Sequence, residues 1–448
     1  MNIVIIGNGV AGTNAARFIR KWSDHKITMI SGESEYPYSR TALMYIYMGH
    51  MKYENTKLYE DHFWAKNRIE LISKWVKTID MASKSVVFQD NTTLKYDKLI
   101  IATGSKSNKF GWPGQDLIGV QGLYNLMDLK SMEEATTRGI KRAVIIGGGL
   151  IGIEMAEMFV SRNIPVTMLV REESFWDIVL PKEESTMVNE HIKAHHIDLR
   201  LTTELDTILD DGSGHVKGIT TKSGETIDCE FVGLTVGVSP NIDPFKGLGF
   251  TTNRGIVVDE YLQTSNKDIY SIGDCSEHTN PNPGRRPIET IWYTGRMMGQ
   301  TVARTLCTTP TKYNPGIWFN SAKFLDIEYQ VYGDIFTKPE DHTDELYWQH
   351  PTENKSIRIA YDKNNQTIVG FNLMGVRYRH EVCEKWLASK SNLKQVLENL
   401  SLANFDPEFF KEYEQDLITI YNQKTGSNLK LKSKRNLNLV TRFLQAIN

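Results

Sequence analysis

The sequence predicts an α/β protein in which one kind of strand–turn–helix unit occurs twice and a mixed α+β domain follows. Two observations support this fold class. A short apolar run at residues 2–6 meets a glycine-rich turn, and another apolar run at residues 143–146 meets a second such turn. With 448 residues, the chain is also long enough for two or three domains of ordinary size.

The first glycine motif, residues 7–12, has the pattern G-x-G-x-x-G and precedes a helix-compatible stretch. In this pattern the first glycine allows a tight turn, the second lets the backbone approach a pyrophosphate, and the third lets the helix pack on the strand. Amide groups at the start of the helix then face phosphate oxygens. The motif reads Gly7, Asn8, Gly9, Val10, Ala11, Gly12.

The second glycine motif, residues 147–152, repeats the pattern before a helical run and a further strand at residues 166–170. A single glycine-rich turn also occurs for purely structural reasons, but two copies in the same context indicate two dinucleotides and two Rossmann-like domains. This motif reads Gly147, Gly148, Gly149, Leu150, Ile151, Gly152.

Composition excludes several other classes of protein. The 52 basic and 54 acidic side chains leave a formal charge of −2, so no global field favours nucleic acid or an anionic membrane. No apolar stretch has the length of a membrane span or the pattern of a signal peptide. Four scattered cysteines form no closely spaced pair that would indicate a metal site or a dithiol. We therefore expect a cytoplasmic protein without a metal.

Two further motifs occur in the order expected along the chain of an enzyme that binds two dinucleotides. Residues 96–104 form an apolar strand that ends in Ala102, Thr103 and Gly104, and residues 268–274 form a later strand that ends in Gly273 and Asp274. Open α/β sheets bind ligands at the carboxyl ends of their strands.

Through these four motifs, residues 1–310 resemble the FAD/NAD(P)-dependent pyridine nucleotide-disulfide oxidoreductase superfamily, which has a glutathione reductase-like fold. The resemblance is to its non-dithiol branch, with rubredoxin and ferredoxin reductases, the flavin part of NADH-dependent nitrite reductase and apoptosis-inducing factor. It implies FAD-binding segments at 1–112 and 246–310, an NAD(P)H-binding domain at 113–245 and an interface or dimerisation domain with a basic tail at 311–448.

The resemblance also assigns residues to FAD. Asp274 would accept hydrogen bonds from the ribityl chain, or would serve only as a strand-end turn former. Residues 290–299 resemble the helix whose N-terminus faces the flavin and stabilises negative charge. The implied FAD-binding residues of the four motifs are Gly7, Gly9, Val10, Ala11, Gly12, Ala102, Thr103, Gly104, Gly273 and Asp274.

Two charged residues near the first motif have open roles. The acidic position that usually binds the adenosine ribose falls near Gly32, and Glu33 is the nearest carboxylate. Glu33 either binds that ribose or is a solvated loop charge. Arg40 lies where relatives have an arginine close to FAD, or it is an ordinary surface arginine.

For the second nucleotide the resemblance implies Gly147, Gly149, Leu150, Ile151, Gly152 and Gly237. An acid after the second strand would favour NADH, and an arginine would accommodate the 2′-phosphate of NADPH. Val170 occupies the acid position and Arg171 follows it, which favours NADPH, while Glu172 leaves NADH open.

The chain departs from the family beside the flavin. Residues 39–47 contain no cysteine, so the thiol of dithiol and single-thiol members is absent there. Tyr45 lies in the region where many relatives have a lysine that pairs with a glutamate, here Glu154. Tyr45 and Glu154 are therefore the catalytic candidates. Without its cation, Glu154 gains another donor, binds a proton more readily, or is a plain helix-surface acid.

Beyond residue 310 the pattern predicts strands at 317–331, 344–349 and 356–371 and helices at 378–400 and 407–423. The tail from residue 424 has no acid, and it either docks an acidic electron carrier or is a solvated terminus. Its basic residues are Lys424, Lys430, Lys432, Lys434, Arg435 and Arg442.

The leading prediction is an FAD-dependent reductase that passes electrons from NADPH or NADH to a small redox protein such as rubredoxin or ferredoxin, as a homodimer. One alternative is an NAD(P)H oxidase or quinone-type reductase with a small acceptor. Another is a redox-sensing interaction protein with weak turnover. The sequence leaves the acceptor, the preferred nucleotide, the oligomeric state and the replacement for the lysine open.

Overall fold

The computed structural model describes residues 1–338, 340–405 and 411–432. The chain forms two compact units, one from residues 1–169 and 203–315 and the other from residues 170–202 and 316 onward. The three predicted nucleotide-binding segments thus share the first unit, apart from residues 170–202. The predicted domain borders themselves stay a prediction.

The first parallel sheet of the first unit contains the strand before the first glycine motif. Its strands pair in register, with Ile6 beside both Ile30 and Ile101, so that their carboxyl ends meet at one edge. Buried aliphatic side chains on these strands form its core. The strand order is Ile269–Ser271, Lys98–Ile101, Asn2–Ile6, Lys26–Ile30, Ile69–Ile72.

Helices Val10–Trp22 and Trp292–Cys307 pack on each other beside this sheet. Their close approach depends on small residues. A Cβ atom on Gly299 would lie 2.5 Å from the Ala11 carbonyl oxygen, and one on Gly295 would lie 3.3 Å from Val10 Cγ1. This packing brings the start of the later helix to the first glycine motif.

The second parallel sheet of this unit contains the strand before the second glycine motif. Four of its strands lie in the order Val166–Leu169, Ala143–Ile146, Phe231–Leu234, Val120–Gln121. Helices Leu126–Arg138 and Leu150–Ser161 follow its strands. The predicted pair of Rossmann-like units is therefore confirmed.

The remaining elements of the first unit are short. Two antiparallel three-stranded sheets contain Val76–Asp80, Ser85–Phe88 and Thr93–Lys95, and Leu205–Asp210, Val216–Thr221 and Thr226–Asp228. Ser105–Ser107 pairs with Val238–Pro240, and Ile256–Val258 pairs with Ser276–His278. Short helices span Leu43–Tyr47, Tyr53–Thr56 and Asp61–Lys66, and 3-10 turns span Arg40–Ala42, Asp243–Phe245 and Gly273–Cys275.

The second unit is built on a five-stranded antiparallel sheet with a core of buried aliphatic and aromatic side chains. The sheet order is Phe319–Phe324, Ile327–Gly333, Ile368–Met374, Ser356–Asp362, Thr343–Gln349. Its other elements are helices Lys182–Ala194, His380–Ala388, Leu393–Glu398 and Glu414–Thr425, strand Asp198–Arg200 and the 3-10 turn Leu400–Leu402.

Two strand predictions in this unit were wrong. Residues 317–331 and 356–371 are not single strands, because each contains a hairpin turn. The first turn has Leu325 at a φ of 57° followed by Asp326, without the glycine or proline that usually marks such a turn. The predicted helix at 378–400 likewise divides in two between Ala388 and Leu393.

The predicted helix at 407–423 begins at Glu414 in the structure, and residues 406–410 lie outside the described part of the chain. Two basic residues of the tail make ion pairs, Lys424 with Asp344 at 2.8 Å and Lys432 with Glu398 at 2.6 Å. Lys434, Arg435 and Arg442 lie outside the described residues. Of the helices within residues 1–338, 340–405 and 411–432, none has the length and apolar character to cross a membrane.

Candidate active site

The first glycine motif is constrained by close backbone contacts. Gly7 has a φ of +110°, and a Cβ atom there would lie 2.1 Å from the Ala102 carbonyl oxygen. A Cβ atom on Gly12 would lie 2.1 Å from the Gly7 carbonyl oxygen. At Gly9, the N-cap of helix Val10–Trp22, a Cβ atom would meet nothing within 4 Å. Packing therefore requires Gly7 and Gly12, whereas Gly9 leaves open space at a helix N-terminus.

The second glycine motif has the same division of roles. Gly147 has a φ of +118°, with the Thr235 carbonyl oxygen 2.6 Å from an added Cβ atom, and a Cβ atom on Gly152 would lie 2.5 Å from the Gly147 oxygen. Gly149 is the N-cap of helix Leu150–Ser161 and again has nothing within 4 Å. The two motifs are thus two copies of one phosphate-binding geometry.

A cavity of about 490 Å³ lies at the carboxyl edge of the first sheet, within the size range of ligand sites. It brings together side chains and backbone from both glycine motifs and from both strand-end motifs. The predicted site residues that line it are Gly7, Gly9, Val10, Ala11, Glu33, Arg40, Ala102, Thr103, Gly104, Ile151, Glu154, Gly273 and Asp274.

Sequence reasoning missed several residues that line the cavity. Among them are Trp75, Gln89, Ser105, Tyr124 and Asn241. All of these except Ser105, which directly follows Gly104, come from segments with no motif. Only the folded structure brings them to one cavity. The described lining does not include the predicted residues Gly12, Tyr45, Gly147, Gly149, Leu150, Gly152, Arg171 and Gly237.

Glu33 and Arg40 form a tight pair on the cavity wall. Arg40 Nη2 donates to Glu33 Oε2 at 2.9 Å, and Arg40 Nη1 donates to Glu33 Oε1 at 3.2 Å. Burial opposes ionisation of Glu33, but the charge and hydrogen bonds of Arg40 outweigh it and lower the pKa of Glu33. Tyr38 and the Leu126 amide also donate to this carboxylate. Glu33 is therefore engaged in a network and is not a solvated loop charge.

Asp274 follows the last strand of the first sheet and faces the cavity. Its Oδ2 atom accepts hydrogen bonds from Ser105 Oγ at 3.1 Å and from the Tyr124 hydroxyl at 3.3 Å. Burial raises the pKa of Asp274, while these two donors oppose the shift. The carboxyl group is thus held in place by Ser105, the first residue of strand Ser105–Ser107, and by Tyr124, which follows strand Val120–Gln121.

Glu154 is half-buried on the cavity wall in helix Leu150–Ser161. Burial, with a smaller contribution from Glu157, raises the pKa of Glu154 to about 7. Among the described residues its carboxyl group has no hydrogen-bond or ion-pair partner. A buried acid without a cation binds a proton more readily, so Glu154 exchanges a proton near neutral pH.

Tyr45 forms no hydrogen bond with this carboxyl group within the described part of the chain. It is half-buried in helix Leu43–Tyr47, and its ring stacks on His50 with 6.3 Å between the ring centroids. The preceding residues Leu43 and Met44 line the cavity instead. A catalytic role for Tyr45 stays a prediction.

The remaining predicted residues concern the second nucleotide. Gly237 has a φ of +88° and lies beside Asn108, whose amide nitrogen donates to Val236 at 3.3 Å. Arg171 belongs to the second unit, where its exposed side chain pairs with Glu172 at 2.6 Å. The roles of Gly237 and Arg171 toward a nucleotide stay predictions.

The family model for pyridine nucleotide-disulphide oxidoreductases matches residues 1–302. Rhodocoxin reductase from Rhodococcus erythropolis is 32% identical over 329 residues, which cover 72% of this chain and 76% of that protein. NADH-rubredoxin oxidoreductase from Clostridium acetobutylicum is 28% identical over 404 residues, which cover 89% and 99%. The structure of a ferredoxin reductase from Rhodopseudomonas palustris has the same fold, with a TM-score of 0.77, 22% identity and coverage of 94% and 99%.

The chain therefore belongs to the pyridine nucleotide-disulphide oxidoreductase family. It is an oxidoreductase, and its cofactors are FAD and NAD(P)H. The residues present fit two such dinucleotides, because Gly9 and Gly149 each leave open space at the start of a helix where phosphates bind.

Proposed function

We propose that this protein passes electrons from NAD(P)H through FAD to a small redox protein of the rubredoxin or ferredoxin type. The observation that carries the proposal is that Ile151 and Glu154, from the helix of the second glycine motif, line the same cavity as Gly9 of the first. The sites of the two dinucleotides thus adjoin at one wall. Bound FAD would supply the redox chemistry, because a flavin can accept a hydride from the nicotinamide and release the electrons one at a time.

The residues of this chain supply position and charge. The open backbone at Gly9, and the helix it begins, bind the FAD pyrophosphate, and Asp274 orients the ribityl hydroxyls as an acceptor fixed by Ser105 and Tyr124. Arg40, held by Glu33, presents positive charge to the cavity. Glu154 holds or releases a proton at the wall shared by the two nucleotides.

The comparisons support a small protein as the acceptor. The relatives with rubredoxin and rhodocoxin reductase names match most of this chain. In addition, Cys229, Cys275 and Cys383 are buried, Cys307 is partly buried, and none of them is among the described residues that line the cavity. Electrons therefore leave the flavin without passing through a thiol.

The first test is an anaerobic titration of the flavin-loaded protein with NADH and NADPH in parallel, followed by absorbance of the oxidised flavin. We expect one nucleotide to bleach the flavin rapidly, which also identifies the donor. A flavin that neither nucleotide bleaches contradicts the proposal.

The second test compares acceptors in steady state. We expect turnover with rubredoxin or a ferredoxin to exceed turnover with oxygen or a quinone by at least about tenfold, a difference of about 1.4 kcal/mol in transition-state stabilisation. Faster turnover with oxygen or quinone makes the protein an oxidase or quinone reductase. Slow reoxidation with every acceptor, together with a nucleotide-dependent change in oligomeric state, makes it a redox sensor.

The same proposal includes a cytoplasmic homodimer. The free thiols of all four cysteines are consistent with a reducing compartment. Light scattering of the flavin-loaded protein at several concentrations tests the dimer, and a monomer mass throughout contradicts it.

A further inference from the structure

A cluster of two histidines and an aspartate lies in the second unit, and none of the motifs used above includes these residues. His191 and His195 are four residues apart at the end of helix Lys182–Ala194, so they share one face of the helix. Asp326 lies in the hairpin turn between strands Phe319–Phe324 and Ile327–Gly333. One potential ligand atom from each of the three residues lies within 4.8 Å of the other two.

The hydrogen bonds of His195 determine which of its ring nitrogens is available. Nδ1 lies 2.9 Å from the His191 carbonyl oxygen, which only accepts, so Nδ1 carries the proton. The neutral ring therefore presents a lone pair at Nε2, which has no hydrogen-bond partner among the described residues. This lone pair faces Asp326 Oδ1 at 3.8 Å, beyond hydrogen-bond distance. Two acceptors that face each other in this way favour a cation between them.

His191 is oriented by a second polar group. Its Nε2 atom contacts Asp326 Oδ1, and its Nδ1 atom lies 2.8 Å from the side-chain amide of Asn354. The Asn354 side chain makes no other hydrogen bond within the described chain. Rotating the Asn354 amide by half a turn would therefore break no other hydrogen bond. It would place Oδ1 beside His191 Nδ1, where it accepts a hydrogen bond from Nδ1–H and leaves the lone pair of Nε2 available to a metal. Such an outer hydrogen bond is characteristic of histidine ligands to metals.

We propose that His191, His195 and Asp326 bind one zinc-class divalent ion, which ties the end of helix Lys182–Ala194 to the hairpin turn. Two imidazoles and one carboxylate form a common three-residue zinc set, with water in the fourth position. In a tetrahedral site with bonds of about 2.0–2.2 Å, the ligand atoms lie about 3.3–3.6 Å apart. The Asp326 side chain is 73% exposed and is free to withdraw from His191 by the required amount.

Sequence reasoning named no metal ligand, because a His-x-x-x-His spacing alone is a weak signal and Asp326 is more than 100 residues away in sequence. The turn brings it to the helix only through the packing of the second unit. The alternative is a simple His191–Asp326 hydrogen bond, which leaves the lone pair of the partly exposed His195 ring to solvent.

The test is calorimetric titration of the full, flavin-loaded, tag-free chain with zinc chloride after removal of metals by a chelator. We expect one zinc ion per chain. His195→Asn and Asp326→Ala should each weaken binding at least tenfold, and Asn354→Ala should weaken it about ten- to a hundredfold. His196→Asn is the matched control, because His196 is exposed next to the cluster and should bind zinc like the wild type.

A second measurement guards against variants that fail to fold. Zinc should raise the unfolding temperature of the wild type and of His196→Asn by the same amount, and should raise that of His195→Asn less. Absence of stoichiometric binding by the wild type, or equal binding by His195→Asn, overturns the proposal and leaves a hydrogen-bonded pair. Both measurements are independent of electron transfer, so failure here does not touch the proposed reductase activity.

Discussion

Gly32 and Trp75 are in such close contact that a Cβ atom on residue 32 would lie 2.2 Å from the indole Cδ2 atom. Both residues line the cavity. Position 32 is where the resemblance places the acid that binds the adenosine ribose, and the indole ring fills the space that the side chain of such an acid would need. The presence of Trp75 thus accounts for the absence of an acid at position 32, and the indole ring forms the cavity wall where the acid would lie.

This contact predicts that substitutions at positions 32 and 75 have coupled effects on the free energy of unfolding. We expect Gly32→Ala to lower the free energy of unfolding by about 1–3 kcal/mol, since the new methyl group displaces the ring. In a Trp75→Ala background the same change should cost much less. A double-mutant cycle in urea measures the coupling, and equal costs in the two backgrounds would show that the contact does not constrain position 32.

The two glycine motifs predict a pair of separable defects. Gly9→Val and Gly149→Val should both fold, because each residue has an extended backbone and open space around its Cβ position. Gly9→Val should lose flavin on purification. Gly149→Val should keep its flavin but be bleached by NAD(P)H at least about tenfold more slowly, because the valine blocks the phosphate position. Each variant is the control for the other, and wild-type bleaching of Gly149→Val would remove the second motif from nucleotide binding.

The raised pKa of Glu154 predicts how the free energy of unfolding changes with pH. Its pKa is raised from 4.5 to about 7 in the folded protein, so the folded state favours the protonated acid. The stability that this group contributes is present below pH 4.5 and is lost as pH rises through about 7. Relative to the wild type, Glu154→Gln should therefore become more stable above pH 7, on the order of 1–2 kcal/mol after solvent screening.

Chemical denaturation of both proteins across this pH range measures the difference. A constant difference at all pH values would mean that Glu154 titrates normally. The same variant tests function, because the rate of flavin bleaching should lose any inflection near pH 7 that the wild type shows.

A buried ion pair holds the second unit together. Arg358, with a side chain 1% exposed, binds Glu184 through two hydrogen bonds of 2.8 Å, and the Glu184 carboxylate also accepts from Asn372. Arg358→Met removes the cation that pairs with the buried Glu184 and with the half-exposed Glu183 and Glu345, and should cost about 3–5 kcal/mol. Arg358→Met with Glu184→Leu should recover much of that loss.

The control for this pair is Arg200→Met, since Arg200 is 44% exposed and pairs with Asp198 on the surface. We expect a change of less than about 0.5 kcal/mol there. If the double variant is less stable than Arg358→Met alone, the buried charge of Glu184 is not the source of the cost.

The secondary structure of the second unit was less predictable than that of the first. Leu325 and Asp326 form a turn although neither is a typical turn former, so the strand prediction continued through them. The sheet pairing that decides the turn depends on residues 368–374, which are distant in sequence. A local pattern does not contain that information.

The sequence by itself determined the two dinucleotide motifs, because part of what requires each glycine lies within a single strand–turn–helix unit. Gly7 and Gly147 have a positive φ, and Gly12 and Gly152 lie against the carbonyl oxygens of Gly7 and Gly147. Only the tertiary structure decided how the charged residues are used. Glu33 is committed to Arg40, and His195 faces Asp326 across a long sequence separation. Backbone sterics act between near neighbours in the chain and can be read from spacing, whereas charge pairing and side-chain packing act between surfaces that only folding brings together.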